Sequence, residues 1–170
     1  MSSALATAAT LTFMCGGSPE AFARAEPILA RMGEAVIRTG PLGSAHAMKA
    51  LNNYVYAAGL LAVSEAALVA EAEGLDLDIL ARVLNASSGR NVASETKLGQ
   101  EITPRRYAGG FQLGLMRKDL ETAGAMAGQA GTPARLLGLL RAEWEAAVAA
   151  LGPRADNTEI HRHLSRGTRP

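Results

Sequence analysis

The stretch Gly40-Pro41-Leu42-Gly43-Ser44-Ala45-His46-Ala47-Met48-Lys49-Ala50-Leu51-Asn52-Asn53 decides the fold of this 170-residue chain. It places a lysine and two amides in the opening turns of a helix that is otherwise almost wholly apolar. Lys49 and Asn53 are four residues apart, and Lys49 and Asn52 three, so these side chains share one helical face. His46 and Tyr56 extend the same polar stripe. Around it stand Ala45, Ala47, Met48, Ala50, Leu51, Val55, Ala57, Ala58, Leu60, Leu61, Ala62 and Val63. A helix apolar on nearly all sides is a buried helix. A lone ammonium there is costly, so Lys49 is expected to meet partners or to titrate away from its usual range. A cleft that tunes a lysine is one way to build a general acid or base.

Working outward, the chain length fits one compact domain or one and a half. The formal net charge is +1, which gives no reason to expect a nucleic-acid or membrane-surface partner. Scarce aromatics and interleaved Ala, Leu, Glu and Arg suit closely packed helices. The single cysteine, Cys15, rules out an internal disulfide framework and fits a reducing cytoplasm. Met1 to Cys15 lacks a basic n-region, so no signal peptide is expected. Tyr54 to Ala72 is long and apolar but carries Glu65 and Glu71, and reads as a core helix instead of a membrane span.

Upstream of the quoted stretch, Thr10-Leu-Thr-Phe-Met-Cys15 reads as a short strand closed by Gly16-Gly17. Ser18 and Pro19 are N-cap and N1 of a helix whose Phe22, Ala25, Ile28, Leu29 and Met32 recur at helical spacing, with Gly33 at its end. Ala35-Val-Ile-Arg38 is a second strand. This strand–helix–strand piece is too small for an independent α/β domain and reads as the last portion of a larger sheet. Downstream, the long helix is expected from Ser44 to about Glu73, closed by Gly74. Asp76 caps a helix carrying Leu77, Leu80, Val83 and Leu84. Further helices are expected near Ala93 to Ile102, from Leu113 to Gln129, and to about Leu151 with Thr132-Pro133 as its N-cap and N1. Leu136, Leu137, Leu140, Trp144 and Val148 would form the apolar face of the last of these. Asp156 to Leu164 would form a final short helix.

Lys49 leads the residues that can carry chemistry. As an ammonium it can protonate a carbonyl oxygen; as an amine it can take a proton from an alcohol. Asn53 can hold the substrate oxygen or orient the lysine. The same spacing also fits a lysine snorkelling to solvent near a helix start. Phe111-Gln-Leu-Gly-Leu-Met-Arg-Lys118-Asp119-Leu120 is a second constellation. Taken alone, Lys118-Asp119 reads as a solvated surface pair and Phe111 as a core anchor. Asn85-Ala-Ser-Ser-Gly-Arg90 could meet a carboxylate or phosphate, although a helix end followed by an N-cap is the simpler reading. His161 and His163 are two apart, which does not converge on a helix, and no Cys or carboxylate cluster joins them, so no metal site is expected. Cys15 has no activating base nearby in sequence. No Gly-x-Gly-x-x-Gly or P-loop occurs in the 170 residues.

As an ordered set these segments resemble the β-hydroxyacid dehydrogenase family, the 3-hydroxyisobutyrate and L-threonate dehydrogenases related to 6-phosphogluconate dehydrogenase. The matching pieces are Thr10-Leu-Thr-Phe-Met-Cys-Gly-Gly17, Gly40-Pro-Leu-Gly43, Lys49-Ala-Leu-Asn-Asn53, Leu84-Asn-Ala-Ser-Ser-Gly-Arg-Asn91, Gly110-Phe111, Leu115-Met-Arg-Lys-Asp-Leu120 and Asp156-Asn-Thr-Glu-Ile160. The resemblance implies Lys49 as catalytic acid/base and Asn53 as its assistant at the substrate. It implies Phe111 and Asp119 near the substrate and Lys118 near a nicotinamide cofactor, NAD or NADP.

The resemblance also implies a mainly α chain. Residues 1–40 would be the end of a Rossmann-type nucleotide-binding sheet, a short β-α-β remnant. Residues 41–170 would be an all-α substrate-binding and dimerisation domain built on one long buried helix. The family's glycine fingerprint and its Ser-Gly-Gly substrate segment are not reproduced; Ser2 and Ser3 lie near the latter's register. The expectation is therefore a cytoplasmic homodimer acting on a small 3-hydroxy acid, inactive unless a separate polypeptide supplies the dinucleotide-binding half. The alternative is a non-catalytic helical dimerisation or binding module.

Overall fold

The computed structural model describes residues 11–167 and is mostly helical, with one two-stranded parallel sheet. Close packing divides the chain into a first unit ending at Asn52 and a second beginning at Asn53.

In the first unit, β1 (Thr12–Gly16), α1 (Pro19–Leu29) and β2 (Ala35–Gly40) follow one another. The strands run parallel, with Thr12 opposite Ala35 and Cys15 opposite Arg38. A bulge then sets Gly16 opposite Gly40. Thr10, expected to open β1, lies outside the described residues, as do Ser2 and Ser3. Ser18 caps α1 as its sequence dictates, accepting from Ala21 N at 3.2 Å, with Pro19 in the first turn. The helix stops at Leu29, short of the expected Met32. The expected apolar face is only half covered: no residue of α1 is buried, and Ile28 and Met32 are exposed. One helix on two strands cannot enclose both of its sides. Gly33 is sterically required, since a Cβ there would sit 2.3 Å from Leu11 O and 2.8 Å from Phe13 Cε2.

The helix α2 (Ser44–Ala72) is a single 29-residue rod. Its start is held in the first unit, where Ser44 Oγ lies 2.7 Å from Thr39 Oγ1. Gly16 allows that approach, because a Cβ on it would meet Pro41 O and Ser44 Oγ at 2.8 Å. By length and composition alone α2 would also pass as a membrane span. The expectation of a helix buried on nearly all sides needs correction. Its buried residues form one seam, Ala50, Ala57, Leu60, Val63, Ser64, Ala67 and Ala70, while Val55 and Val69 are 68% and 63% exposed. Alanines dominate the seam, and the opposite side leaves Val55 and Val69 in the open.

In the second unit Asp76 caps α3 (Leu77–Ala86), its Oδ1 accepting from Asp78 N at 2.8 Å and Ile79 N at 3.0 Å. The helical stretch expected near Ala93 is a π-helix, Ser94–Ile102, with Ser94, Leu98 and Ile102 buried. α4 (Leu113–Gln129) packs on α5 (Arg135–Leu151), and a 3₁₀ turn at Asn157–Glu159 leads into α6 (Ile160–Leu164). The core joins Leu113, Met116, Leu120 and Ala123 of α4 with Leu137, Leu140, Trp144 and Ala147 of α5. Two expectations for α5 fail together. Thr132 N–H donates to Ala127 O at 3.0 Å, so Thr132 closes α4 instead of opening α5. α5 begins at Arg135, behind an Ala134 N-cap that offers no side-chain bond. Its buried stripe then takes Leu137 and Ala147 and leaves Leu136 51% exposed.

Candidate active site

Helix α2 carries Asn53 and, three residues on, Tyr56 into the second unit. Asn53 Nδ2 donates to Asp119 Oδ2 at 2.5 Å. Asp119 is buried on α4, and its other oxygen, Oδ1, lies 3.3 Å from Lys118 Nζ. The Lys118 side chain is 61% exposed and that of Asp119 7%. One buried carboxylate therefore fixes two groups. It holds the amide nitrogen of Asn53 against α4. It also tethers an outward-facing ammonium. Hydrogen bonds to an ionised acceptor are roughly twice as strong as neutral ones, which suits the carboxylate to this organising task. Read alone, Lys118-Asp119 is a solvated surface pair; the structure buries Asp119 and sets its oxygens against Asn53 and Lys118.

Phe111 is half-buried, and its backbone is set by Asp156, the first residue of the expected final helix. Asp156 Oδ2 accepts from Gly110 N at 2.7 Å and from Phe111 N at 3.3 Å. Its Oδ1 accepts from Thr158 N at 3.0 Å and Thr158 Oγ1 at 2.5 Å, capping the 3₁₀ turn. Asn157 N completes the join by donating to Phe111 O at 2.7 Å. Lys97 of the π-helix donates to Gly109 O at 3.4 Å in the same loop. Lys97 carried no signal in the sequence; the run Asp156-Asn-Thr did, as an N-cap.

Tyr56 Oη accepts from Asn157 Nδ2 at 3.2 Å. Burial pushes the Tyr56 phenol above its ordinary value, the Asp156 charge adds to the rise, and the Asn157 bond opposes it. Tyr56 is thus a neutral phenol linking α2 to the C-terminal segment, one turn from Asn53.

Lys49 belongs to the first unit. It is exposed on the opening turns of α2, so the premise of a deeply buried ammonium does not hold there. The Asn85–Arg90 segment is tied to the first turn of the π-helix. Asn85 Nδ2 donates to Ser94 O at 3.2 Å, and Arg90 Nε reaches Glu95 Oε1 at 2.5 Å. His161 and His163 diverge. The first is buried beside Arg105, and the second lies 3.2 Å from Glu143 Oε1. Cys15 is a half-buried free thiol on β1.

Set beside known proteins, residues 43–164 match the family described as NAD-binding of NADP-dependent 3-hydroxyisobutyrate dehydrogenase. Residues 2–40 match that described as NAD binding domain of 6-phosphogluconate dehydrogenase. An NAD-dependent L-serine dehydrogenase of Pseudomonas aeruginosa is 37% identical over 142 residues, covering 79% of this chain and 48% of that protein. A probable mitochondrial 3-hydroxyisobutyrate dehydrogenase of Arabidopsis thaliana is 38% identical over 138 residues, covering 78% and 40%. The solved Mycobacterium tuberculosis 3-hydroxyisobutyrate dehydrogenase with L-serine superposes with a TM-score of 0.84 at 31% identity, over 94% of this chain and 56% of that one. The chain spans about half the length of the curated relatives it matches.

Proposed function

The chain belongs to the 3-hydroxyisobutyrate dehydrogenase-like family of β-hydroxyacid dehydrogenases, and from that premise we propose that it carries the proton-transfer side of an NAD(P)-dependent oxidation of a small 3-hydroxy acid. The observation that carries the reading is the Asn53–Asp119–Lys118 arrangement, in which a buried carboxylate positions an amide and an ammonium on neighbouring helices. The substrate class follows from what the relatives are named for. Serine and 3-hydroxyisobutyrate share a primary alcohol β to a carboxylate and differ at C2, amino against methyl.

In this reading the Lys49 amine takes the hydroxyl proton as the C–O bond becomes C=O, and its ammonium returns the proton in the reverse direction. The Asn53 amide holds the reacting oxygen. Phe111, its backbone fixed by Asp156, approaches the substrate. A bound nicotinamide supplies the hydride acceptor. Lys118 fits such a cofactor at one point, because a tethered, exposed ammonium suits an anionic or hydrogen-bond-accepting edge. Residues 1–40 are assigned to the end of the nucleotide domain and 41–170 to the helical domain, and the setting is the cytoplasm. The glycine fingerprint that holds a dinucleotide's phosphates is not among these 170 residues.

The test is turnover of 3-hydroxyisobutyrate and L-serine with NAD and NADP, by the chain alone and mixed with a nucleotide-binding half from a relative. Lys49→Ala is expected to lower kcat in the reconstituted complex by about 10²-fold or more while dinucleotide affinity is kept. Undiminished turnover by that variant would sink the proposal.

A second reading, a helical dimerisation module, draws on one observation. Leu75, just before α3, and Ile79 and Val83 within it are exposed, at 61%, 57% and 55%. It predicts a homodimer in sedimentation that Ile79→Lys dissociates and Lys49→Ala leaves intact.

A further inference from the structure

A second polar cluster lies within the second unit, at the far end of α2. Glu71 follows Asn53 by eighteen residues, about 27 Å of helix. Its carboxylate pairs with Arg105 Nη2. Arg105 Nη1 lies 3.0 Å from His161 Nδ1, and Tyr107 Oη lies 3.1 Å from the same atom. The Tyr107 and His161 rings stack, with centroids 6.2 Å apart and planes inclined at 26°. His161 is fully buried; burial, with the Arg105 charge added, draws its imidazole down to about 4. A neutral ring accepts at Nδ1 and so locks Arg105 and Tyr107 in place.

The backbone here is unusual as well. Arg105 and Tyr107 have φ of 58° and 50°, and they are the non-glycine residues in the left-handed region among those described. Side-chain-bearing residues adopt that region at a cost, and such outliers gather where a structure must aim particular side chains. Both side chains are aimed at one cleft of about 660 Å³, within the range of small-molecule sites. Leu68, Val69 and Ala72 of α2 form its apolar wall, and Ser165 contributes a hydroxyl at the rim.

A paired carboxylate and guanidinium beside aliphatic carbon restrict what can bind. A simple anion would meet the Glu71 carboxylate, and a simple cation the Arg105 guanidinium. A molecule carrying both charges on neighbouring atoms would instead exchange one solvent-exposed ion pair for two charge-assisted contacts. We propose that this cleft is a second ligand site for a small aliphatic α-amino acid, its carboxylate on Arg105, its ammonium on Glu71 and its side chain against Leu68 and Val69. The site shares no residue with the Asn53–Asp119–Lys118 group, so it stands or falls independently of the dehydrogenase reading.

The experiment titrates L-valine into the ¹⁵N-labelled 170-residue chain and follows its amide resonances. Valine lacks a hydroxyl and cannot be oxidised as a hydroxyacid, so no turnover intervenes, and the position of its shifts separates the cleft from the Asn53 site. Saturable shifts are expected at Glu71, Tyr107 and Ser165. Isobutylamine and isovalerate, each holding one of valine's two charges, should bind at least about tenfold more weakly, as should valine to Glu71→Gln and Arg105→Gln. The single-charge analogues keep the test decisive on the unaltered chain if either variant misfolds. Absence of saturable shifts at the cleft, analogues that bind as tightly as valine, or shifts centred on Asn53 would each overturn the proposal.

Discussion

Asn53 Nδ2 and Asp119 Oδ2 lie 2.5 Å apart across 66 residues of sequence, so the amide on α2 takes its orientation from a carboxylate on α4. Asp119→Ala is expected to cost about 1–3 kcal/mol, because it strips an acceptor from a half-buried amide and an anion from beside Lys118. Urea unfolding of Asn53→Ala, Asp119→Ala and the double variant checks this. A coupling of about 0.5–3 kcal/mol is expected, and strict additivity would contradict the shared bond.

Asp156 should govern the Gly110–Phe111 loop. It accepts from Gly110 N, Phe111 N, Thr158 N and Thr158 Oγ1, so Asp156→Ala removes an N-cap and the loop anchor together. A loss of about 1–2 kcal/mol is expected from the cap alone. Amide hydrogen exchange gives the sharper readout. Exchange at Gly110 and Thr158 should accelerate more than at core amides such as that of Leu140.

Stability should fall in mild acid through His161. Its folded value is drawn down to about 4 from 6.5, by burial first and by the Arg105 charge second. Between these values the unfolded chain binds a proton that the folded one refuses. The stabilisation is therefore fully present above about pH 6.5, is lost as pH falls through that window, and levels off below about pH 4. The integrated effect is on the order of 3 kcal/mol. Denaturation midpoints across this range should show the slope in the parent chain and lose most of it in His161→Gln.

Two glycine-to-alanine exchanges should have opposite signs. In α5, Gly138 has open space where a Cβ would be, and Gly138→Ala should stabilise by about 0.5–1 kcal/mol. In α4, a Cβ on Gly114 would stand 2.9 Å from Pro153 O and Cβ, so Gly114→Ala should destabilise despite the better helix former. Denaturant midpoints of the two variants should move in opposite directions.

Where one local rule acted without competition, the sequence was readable. Asp76 caps α3 and Ser18 caps α1 because a side-chain oxygen preceding a helix has few better partners. The span Leu113–Gln129 follows from periodicity bounded by glycine and polar residues. Thr132-Pro133 misled because two rules competed for one residue, and closing α4 won. The π-helix was invisible, since its wider turn has no compositional mark. Exposure along α2 could not be read from hydropathy, which registers apolarity without saying which side is covered. At the candidate site the motif residues Asn53, Lys118 and Asp119 come together, whereas the grip of Asp156 on Phe111 and the Lys97 contact depend on a tertiary arrangement that no spacing encodes.

The π-helix at Ser94–Ile102 makes the number of residues there, and not only their kind, a heritable variable. A π turn holds more chain than an α turn, so excising a single codon offers this segment a route to the tighter geometry. Gly99 is the natural candidate, since a Cβ there would meet nothing within 4 Å. Lys97 and Glu101 flank it, the first on Gly109 O at 3.4 Å and the second accepting from Ala108 N at 2.8 Å. Such a deletion turns Lys97 relative to Glu101, and with them the two contacts that hold the loop carrying Phe111. Insertions and deletions in this turn thus reach that loop by a path closed to substitutions at the buried Ser94, Leu98 or Ile102.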